Sequence, residues 1–304
     1  MIGISWAKAI LLGEHAVVHG RPAIAIPLQN LKLIVTLEPM DASAGPMAND
    51  TLSNLLSTLQ VAMGIPEKVF NVNVESDIPQ GAGLGSSAAL CAAMVDALAH
   101  EAGQELSEAD HARLADVGER SFHGTPSGVD AAAVVRKVPI SFCSGTVEPI
   151  IPSVPLTVIV ASTKDRGSTQ EAVAMVKDRM ETDTDATSSI FDRIGALVEE
   201  GVTAMSMGDL ERLGQAMTEN HALLSRLKLS TQAVDRLVAA ATTSGAYGAK
   251  LTGAGLGGCI VCVAPEKKAI DIEQSLVDAG ASAVWVSRIS GTDGFGQGDE
   301  EDAS

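Results

Sequence analysis

The chain has 304 residues, 46% of them hydrophobic and only 3% aromatic. That length suits one large domain, or two of about 150 residues that each bury a core. Lysine and arginine number 21 against 38 aspartates and glutamates, and the resulting formal charge of −17 argues against a nucleic-acid partner. No apolar run reaches the roughly 18 residues of a membrane span. The apolar N-terminal run holds Lys8 inside it and is followed by Glu14 and His15, so it reads as a strand rather than a signal peptide.

After that first strand, the alternation of apolar residues predicts strands over 24–26, 31–37 and 69–75, with helical spacing over 51–63. An alanine-rich helix follows from 87 to 102 and is broken by Gly103; a second covers 107–120 with Ser107 as its N-cap. Four prolines between 139 and 155 mark a boundary near 150, where a strand over 156–161 opens the second half. Ser168 and Glu171 form a capping-box pair that starts a helix running to about 180. A polar loop is predicted over 181–187, then helices over 188–207, 209–227 and 231–243. A strand over 258–264, a helix over 266–279 and a strand over 282–289 complete the α+β pattern. Residues 293–304 form an acidic tail without a basic residue, a composition that predicts disorder.

Cys259 and Cys262 formally make a C-x-x-C pair, but they fall on the strand predicted over 258–264. Residues three apart on a strand face opposite ways, and no second Cys or His pair supplies further ligands. Reduced, buried thiols in a cytoplasmic protein are the expectation.

Three segments far apart in sequence carry chemistry. Pro79-Gln-Gly-Ala-Gly-Leu-Gly-Ser-Ser-Ala-Ala89 lies between a strand and a strong helix. Its glycines allow close backbone approach, and the helix that follows offers N–H groups and a positive dipole end to a phosphate. It lacks the Gly-Lys-Ser/Thr of a Walker loop, and a plain glycine turn with a serine cap is the structural alternative. Glu119 to Asp130 places two carboxylates about a Thr-Pro-Ser-Gly turn, suited to holding Mg²⁺ and orienting a hydroxyl, or simply to ending a helix and capping a turn. Lys250-Leu-Thr-Gly-Ala-Gly-Leu-Gly-Gly-Cys259 either walls a phosphate site or connects a hairpin. A fourth segment, Lys8 to Gly20, ends an apolar strand in a polar cluster, and a lysine inside that strand must reach water or an anion, with an edge-strand lysine that snorkels outward as the structural alternative.

Together these segments resemble the GHMP small-molecule kinase family, in order and spacing, from about Ser5 to Val263; within it, Glu-His-Ala-Val-Val-His-Gly and His-Gly-Thr-Pro-Ser-Gly-Val-Asp are most similar to the branch acting on mevalonate. The resemblance implies a two-lobed fold: a ribosomal-protein-S5-like lobe over 1–150 and a ferredoxin-like helical lobe over 151–292, with the site between them. It implies ATP and Mg²⁺ as cofactors and phosphorylation of the 5-hydroxyl of mevalonate. Asp130 and Lys8 would be catalytic, and Glu14, His15 and Thr169 would lie on the substrate side. Gly81, Ala82, Gly83, Leu84, Gly85, Ser86 and Ser87, with Gly253 and Gly255, would cradle ATP, while Ser87 and Glu119 hold Mg²⁺.

The chain departs from the family where Ser5-Trp6-Ala7-Lys8 replaces the usual Ala-Pro-Gly-Lys, and where Ala131 replaces Asn after Asp130. A GHMP kinase for phosphomevalonate, a sugar or homoserine is the alternative, as is a non-catalytic nucleotide sensor. The expected partners are small molecules, with no nucleic acid and no membrane; a homodimer is an open assembly.

Overall fold

The computed structural model describes residues 1–40, 50–122, 127–165 and 167–290. The tail predicted over 293–304, His123 and Arg166 lie outside the described residues.

The chain opens with β1 (Ile2–Leu12), a 3₁₀ turn (Ala16–His19) and the 17-residue β2 (Ala23–Pro39). Then come α1 (Asp50–Met63), β3 (Phe70–Ser76), α2 (Ser86–Ala102), α3 (Glu108–Glu119) and the short α4 (Val129–Val134). A hairpin of β4 (Ile140–Cys143) and β5 (Thr146–Pro149) closes the first, five-stranded sheet. In that sheet β2 is central: β1 pairs along one edge, while β3 and β4 share the other at opposite ends.

The sequence pattern predicts two separate strands over 24–26 and 31–37, but the structure keeps one. Pro27 cannot donate to a ladder, and the irregularity is taken up as a bulge: Trp6 pairs with Lys32 and Ala7 with Leu28. Gln29 and Asn30 are left exposed there. This bulge immediately precedes Lys8.

α2 packs on β1 with almost no intervening side chain. A Cβ on Gly3 would lie 2.0 Å from the Ala93 carbonyl oxygen, which is why this helix is built of alanines. α3 returns against α2 just as closely, since a Cβ on Gly118 would lie 2.9 Å from Cys91 Sγ. Ser107 caps α3 by accepting from the Asp110 N–H, as the sequence predicts.

The second sheet contains β6 (Leu156–Ser162), β7 (Gly248–Thr252), β8 (Cys259–Ala264) and β9 (Ala283–Ile289), in the order β7-β8-β6-β9 and antiparallel throughout. Numbered from β6, that order is 2-3-1-4, the ferredoxin-like arrangement. Between β6 and β7 lie α5 (Thr169–Thr182), α6 (Thr184–Met207), α7 (Leu210–Arg226) and α8 (Gln232–Thr243); α9 (Ala269–Asp278) joins β8 to β9.

The loop predicted over 181–187 is a correction. Only Asp183 interrupts the two helices, and its side chain caps α6 by accepting from the Ala186 N–H. Polar composition suggested a loop, whereas these residues form the exposed end of α5 and the first turn of α6, whose buried stripe runs from Thr187 through Ile190, Phe191 and Ile194.

One apolar core runs through both sheets, from Leu11, Leu12 and Ile24 to Leu213, Leu251 and Ile260. All six β8 residues are buried, so Cys259 and Cys262 are core thiols, both free and both pushed up to about 12 by burial. Among the described residues no helix is long and apolar enough to cross a membrane.

Candidate active site

Lys8 is 2% exposed although it carries a charge. Its Nζ lies 2.8 Å from Asp130 Oδ1 and donates to the Gly83 carbonyl at 3.3 Å. The Lys8 N–H also donates to the Leu84 carbonyl at 3.1 Å, which ties β1 to the first glycine loop. Gly85 has φ of 75°, and a Cβ there would lie 2.9 Å from both Cγ and Cε of Lys8, so a side chain at 85 would displace the lysine.

Asp130 occupies the first turn of α4, with Val129 and Ala131 buried on either side of it. Ser5 donates its hydroxyl to the Val134 carbonyl at 3.0 Å and ties α4 to β1. Asp130 itself remains 32% exposed. One carboxylate thus faces a buried lysine while keeping access to a reactant.

Ser87 lies in the first turn of α2 and Glu119 ends α3. The two helices form a hairpin joined across Gly103, which brings those ends together, and Ser87 Oγ donates to Glu119 Oε1 at 3.1 Å. Glu119 is 3% exposed, and its Oε2 is buried without a hydrogen-bond partner among the described residues. Burial, then the charge of Asp130, push its carboxyl up to about 8, against the Ser87 hydrogen bond and Lys8. A buried carboxylate oxygen beside a hydroxyl and at the C-terminal, negative end of α3 has the chemistry of a hard-cation ligand.

The two glycine-rich segments meet. Gly83 and Gly253 face each other: a Cβ on Gly253 would lie 3.1 Å from Gly83 Cα, and one on Gly83 would lie 3.3 Å from the Thr252 carbonyl oxygen. The second loop is the β7–β8 hairpin connection as well as a wall against the first. Gly255 in turn adjoins Gly167, just before α5, where Ser168 caps the helix by accepting from the Glu171 N–H. Thr169 is therefore exposed at the start of a helix that abuts the second glycine loop.

In the first loop Gly81 is exposed, whereas Ala82 and Leu84 are buried among apolar residues and offer only their backbone outward. Ser86 opens α2. The first N–H groups of an α-helix find no carbonyl one turn earlier, so this end of α2 presents donors and a positive dipole.

The turn from Gly13 to His15 is held by the second half of the chain. The Gly13 N–H donates to Asn220 Oδ1 at 3.2 Å, and His15 Nε2 bonds the Ala254 carbonyl at 2.8 Å. Thr252 Oγ1 accepts from the Ile10 N–H and donates to its carbonyl, each at 3.0 Å. Glu14, expected on the substrate side, is 1% exposed and forms an ion pair with the fully buried Lys250. Burial raises the Glu14 carboxyl and lowers the Lys250 ammonium, each against the charge of the other. Burial also lowers His15, keeping it neutral as a donor to Ala254.

Lys250, Asn220 and Thr252 received no role from the sequence. Lys250 did carry a signal, the same one that marked Lys8: a lysine inside an apolar strand. Asn220 carried none, since one polar residue on an amphipathic helix looks like a solvent-facing position. A surface hollow of about 350 Å³ lined by Glu200, Asp209, Glu211, Arg212 and Glu219 shares no residue with this cluster, and its acidic lining is unsuited to a polyphosphate.

Comparison with known proteins shows the family. Residues 50–137 match the N-terminal domain of GHMP kinases and residues 195–282 match the C-terminal domain. The chain is 35% identical to a mevalonate kinase of Pyrococcus horikoshii, over 86% of this chain and 88% of that one. It is 33% identical to one of Thermococcus onnurineus, over 93% and 94%. Among solved structures it is similar to L. major mevalonate kinase in complex with R-mevalonate, with a TM-score of 0.82 at 25% identity over 95% of this chain and 96% of that one. Methanococcus jannaschii mevalonate kinase gives a TM-score of 0.81 at 25% identity, over 95% and 98%. Two domain matches in the right order and identity of this extent place the chain in a family: it belongs to the GHMP kinases.

Proposed function

We propose that this chain transfers the γ-phosphoryl group of ATP to the 5-hydroxyl of (R)-mevalonate, giving 5-phosphomevalonate and ADP. The observation that carries the reading is the Lys8–Asp130 pair, 2.8 Å apart beside the first glycine loop. The acceptor is supported by the similarity to mevalonate kinases, one of them solved with R-mevalonate.

Asp130 orients the hydroxyl and takes its proton as the oxygen attacks the γ-phosphorus. The new O–P bond forms, the bond to the bridging β–γ oxygen breaks, and ADP leaves. Lys8 polarises the acceptor oxygen and offsets charge on the moving phosphoryl group. The backbone from Gly81 to Ser87, the N-terminus of α2 and the Gly253–Gly255 turn hold the nucleotide phosphates. Positioning and a local positive field do most of this work, and a chain of net charge −17 has to build that field locally.

Ser87 and Glu119 would hold Mg²⁺; the buried Oε2 of Glu119, without a hydrogen-bond partner among the described residues, supports that assignment. When bound, the ion neutralises part of the phosphate charge. His15 and Thr169 flank the acceptor, with Glu14 behind His15. The division into lobes near residue 150 and a cytoplasmic place of action, which the free buried cysteines support, belong to the same reading.

A coupled assay of ADP release with a panel of alcohols tests this function. Preference for mevalonate over phosphomevalonate, sugars and homoserine is expected. Preference for another alcohol keeps the phosphotransfer and replaces the acceptor, and ATP binding without any turnover replaces the enzyme with a sensor.

A further inference from the structure

We propose that Lys250 is a positioning residue for the acceptor side of the site, acting through Glu14; this rests on the reading of the Gly13–His15 turn as that side. Lys250 lies on β7 and Glu14 just beyond β1, 236 positions apart in sequence, and both are essentially without solvent exposure. Lys250 Nζ donates to Glu14 Oε1 and also to the Leu251 carbonyl at 2.6 Å, which fixes the ammonium against its own strand. Among the described residues Glu14 Oε2 has no hydrogen-bond partner, and neither has Nδ2 of the fully buried Asn220 at the adjoining Gly13.

Stability does not explain such a pair. Removing two charges from water costs about as much as their attraction returns, and apolar residues of the same shape often do better. What the pair provides is a fixed register. The turn that carries His15 ends a strand of the first sheet, and besides its own backbone bonds from Ala16 and Val17 it is held by the second half: Asn220 on α7, Lys250 on β7 and the Ala254 carbonyl beyond, with Thr252 holding Ile10 of the strand that leads into it. The nucleotide side is built mainly from the first half: the Lys8 contacts and the Ser87–Glu119 pair lie wholly there, and the second half adds the Gly253–Gly255 turn, where Gly253 packs on Gly83. Loosening the Lys250–Glu14 pair therefore moves the acceptor wall against the nucleotide wall, and the effect falls on one substrate.

The test is steady-state kinetics and melting temperature for the wild type, Glu14→Gln, Lys250→Met and Glu14→Gln/Lys250→Met, using the best acceptor of the wild type. Lys250→Met is expected to raise the acceptor KM about tenfold or more while the ATP KM stays within about twofold. Because Lys250 acts through Glu14, the double variant should match Glu14→Gln in acceptor kcat/KM within about twofold. It should also melt above Lys250→Met, which strands a buried carboxylate. If Lys250→Met cannot be purified, the double variant against Glu14→Gln still decides. Losses that multiply, an unchanged acceptor KM in Lys250→Met, or equal rises in both KM values overturn the proposal. A wild type preferring another alcohol corrects the substrate reading and leaves this comparison intact; a wild type inactive on every alcohol removes both.

Discussion

Lys8 and Asp130 form an ion pair in which one partner is buried and the other stays open: Lys8 is 2% exposed and Asp130 32%. This asymmetry matters because the lysine is held by backbone on two sides, through Leu84 and Gly83, whereas the aspartate can exchange its partner for a substrate hydroxyl. Asp130→Asn keeps the shape and removes the base. It should lower kcat by about 10²-fold or more while ATP affinity, read by calorimetry, stays nearly unchanged. Unaltered turnover would take Asp130 out of the reaction.

Lys8→Met keeps most of the unbranched side chain, removes the ammonium and leaves Asp130 reachable by water. Turnover should fall by about 10²-fold or more, as expected when a charge aimed at the moving phosphoryl group is lost. The melting temperature should move little. A collapsed melt with intact specific activity would mean that Lys8 serves the fold alone.

Gly85→Ala tests how tightly that lysine is seated. The left-handed backbone at 85 costs an alanine about 1–2 kcal/mol, and its methyl would also meet the Lys8 side chain. Lower stability together with lower kcat is expected. Loss of stability with full kcat would separate the loop from the lysine.

Glu119→Gln keeps an acceptor for the Ser87 hydroxyl but removes the negative charge. The Mg²⁺ concentration for half-maximal rate should rise about tenfold or more, with ATP binding in the absence of metal unaffected. A Mg²⁺ titration identical to wild type would refute the ligand role.

Stability should depend on pH through the histidines. His221 accepts from the Leu251 N–H through Nδ1 and faces Asp235 through Nε2, an arrangement that suits the neutral ring. Burial, then Lys250, holds its pKa below the ordinary 6.5, and burial does the same for His15. Below pH 6.5 the unfolded chain binds protons that the folded chain refuses, so stability is full above that pH and is lost as pH falls toward the folded pKa values. His221→Asn, which retains an acceptor for Leu251, should flatten the fall in melting temperature between about pH 7 and 5. An unchanged slope would assign the acid sensitivity to other groups.

Much of this site was legible because its signals are local. Three glycines before an alanine helix, a lysine in an apolar strand and two carboxylates around a turn each state a chemical need within a few residues. The helix starts at Ser107 and Ser168 were equally readable from their caps. What stayed hidden depends on long-range geometry. The union of 24–26 and 31–37 into one strand requires a bulge that only the pairing with β1 defines. The clamps on Gly13 and Glu14 join residues more than 200 positions apart, and nothing beside Asn220 in sequence tells it from a surface residue. The segment over 181–187 misled because polarity was read as a loop when it marks a helix turn facing solvent.

The central claim is that Asp130 and Lys8 direct phosphoryl transfer to one hydroxyl of mevalonate. Its most direct test is to incubate the protein with Mg²⁺-ATP and (R)-mevalonate, measure ADP release and locate the phosphate in the product by phosphorus NMR. The account predicts one equivalent of ADP per product molecule, with the phosphate on the 5-hydroxyl and product from Asp130→Asn forming about 10²-fold or more slowly. Phosphate on another hydroxyl, or no mevalonate-dependent ADP at all, would contradict it.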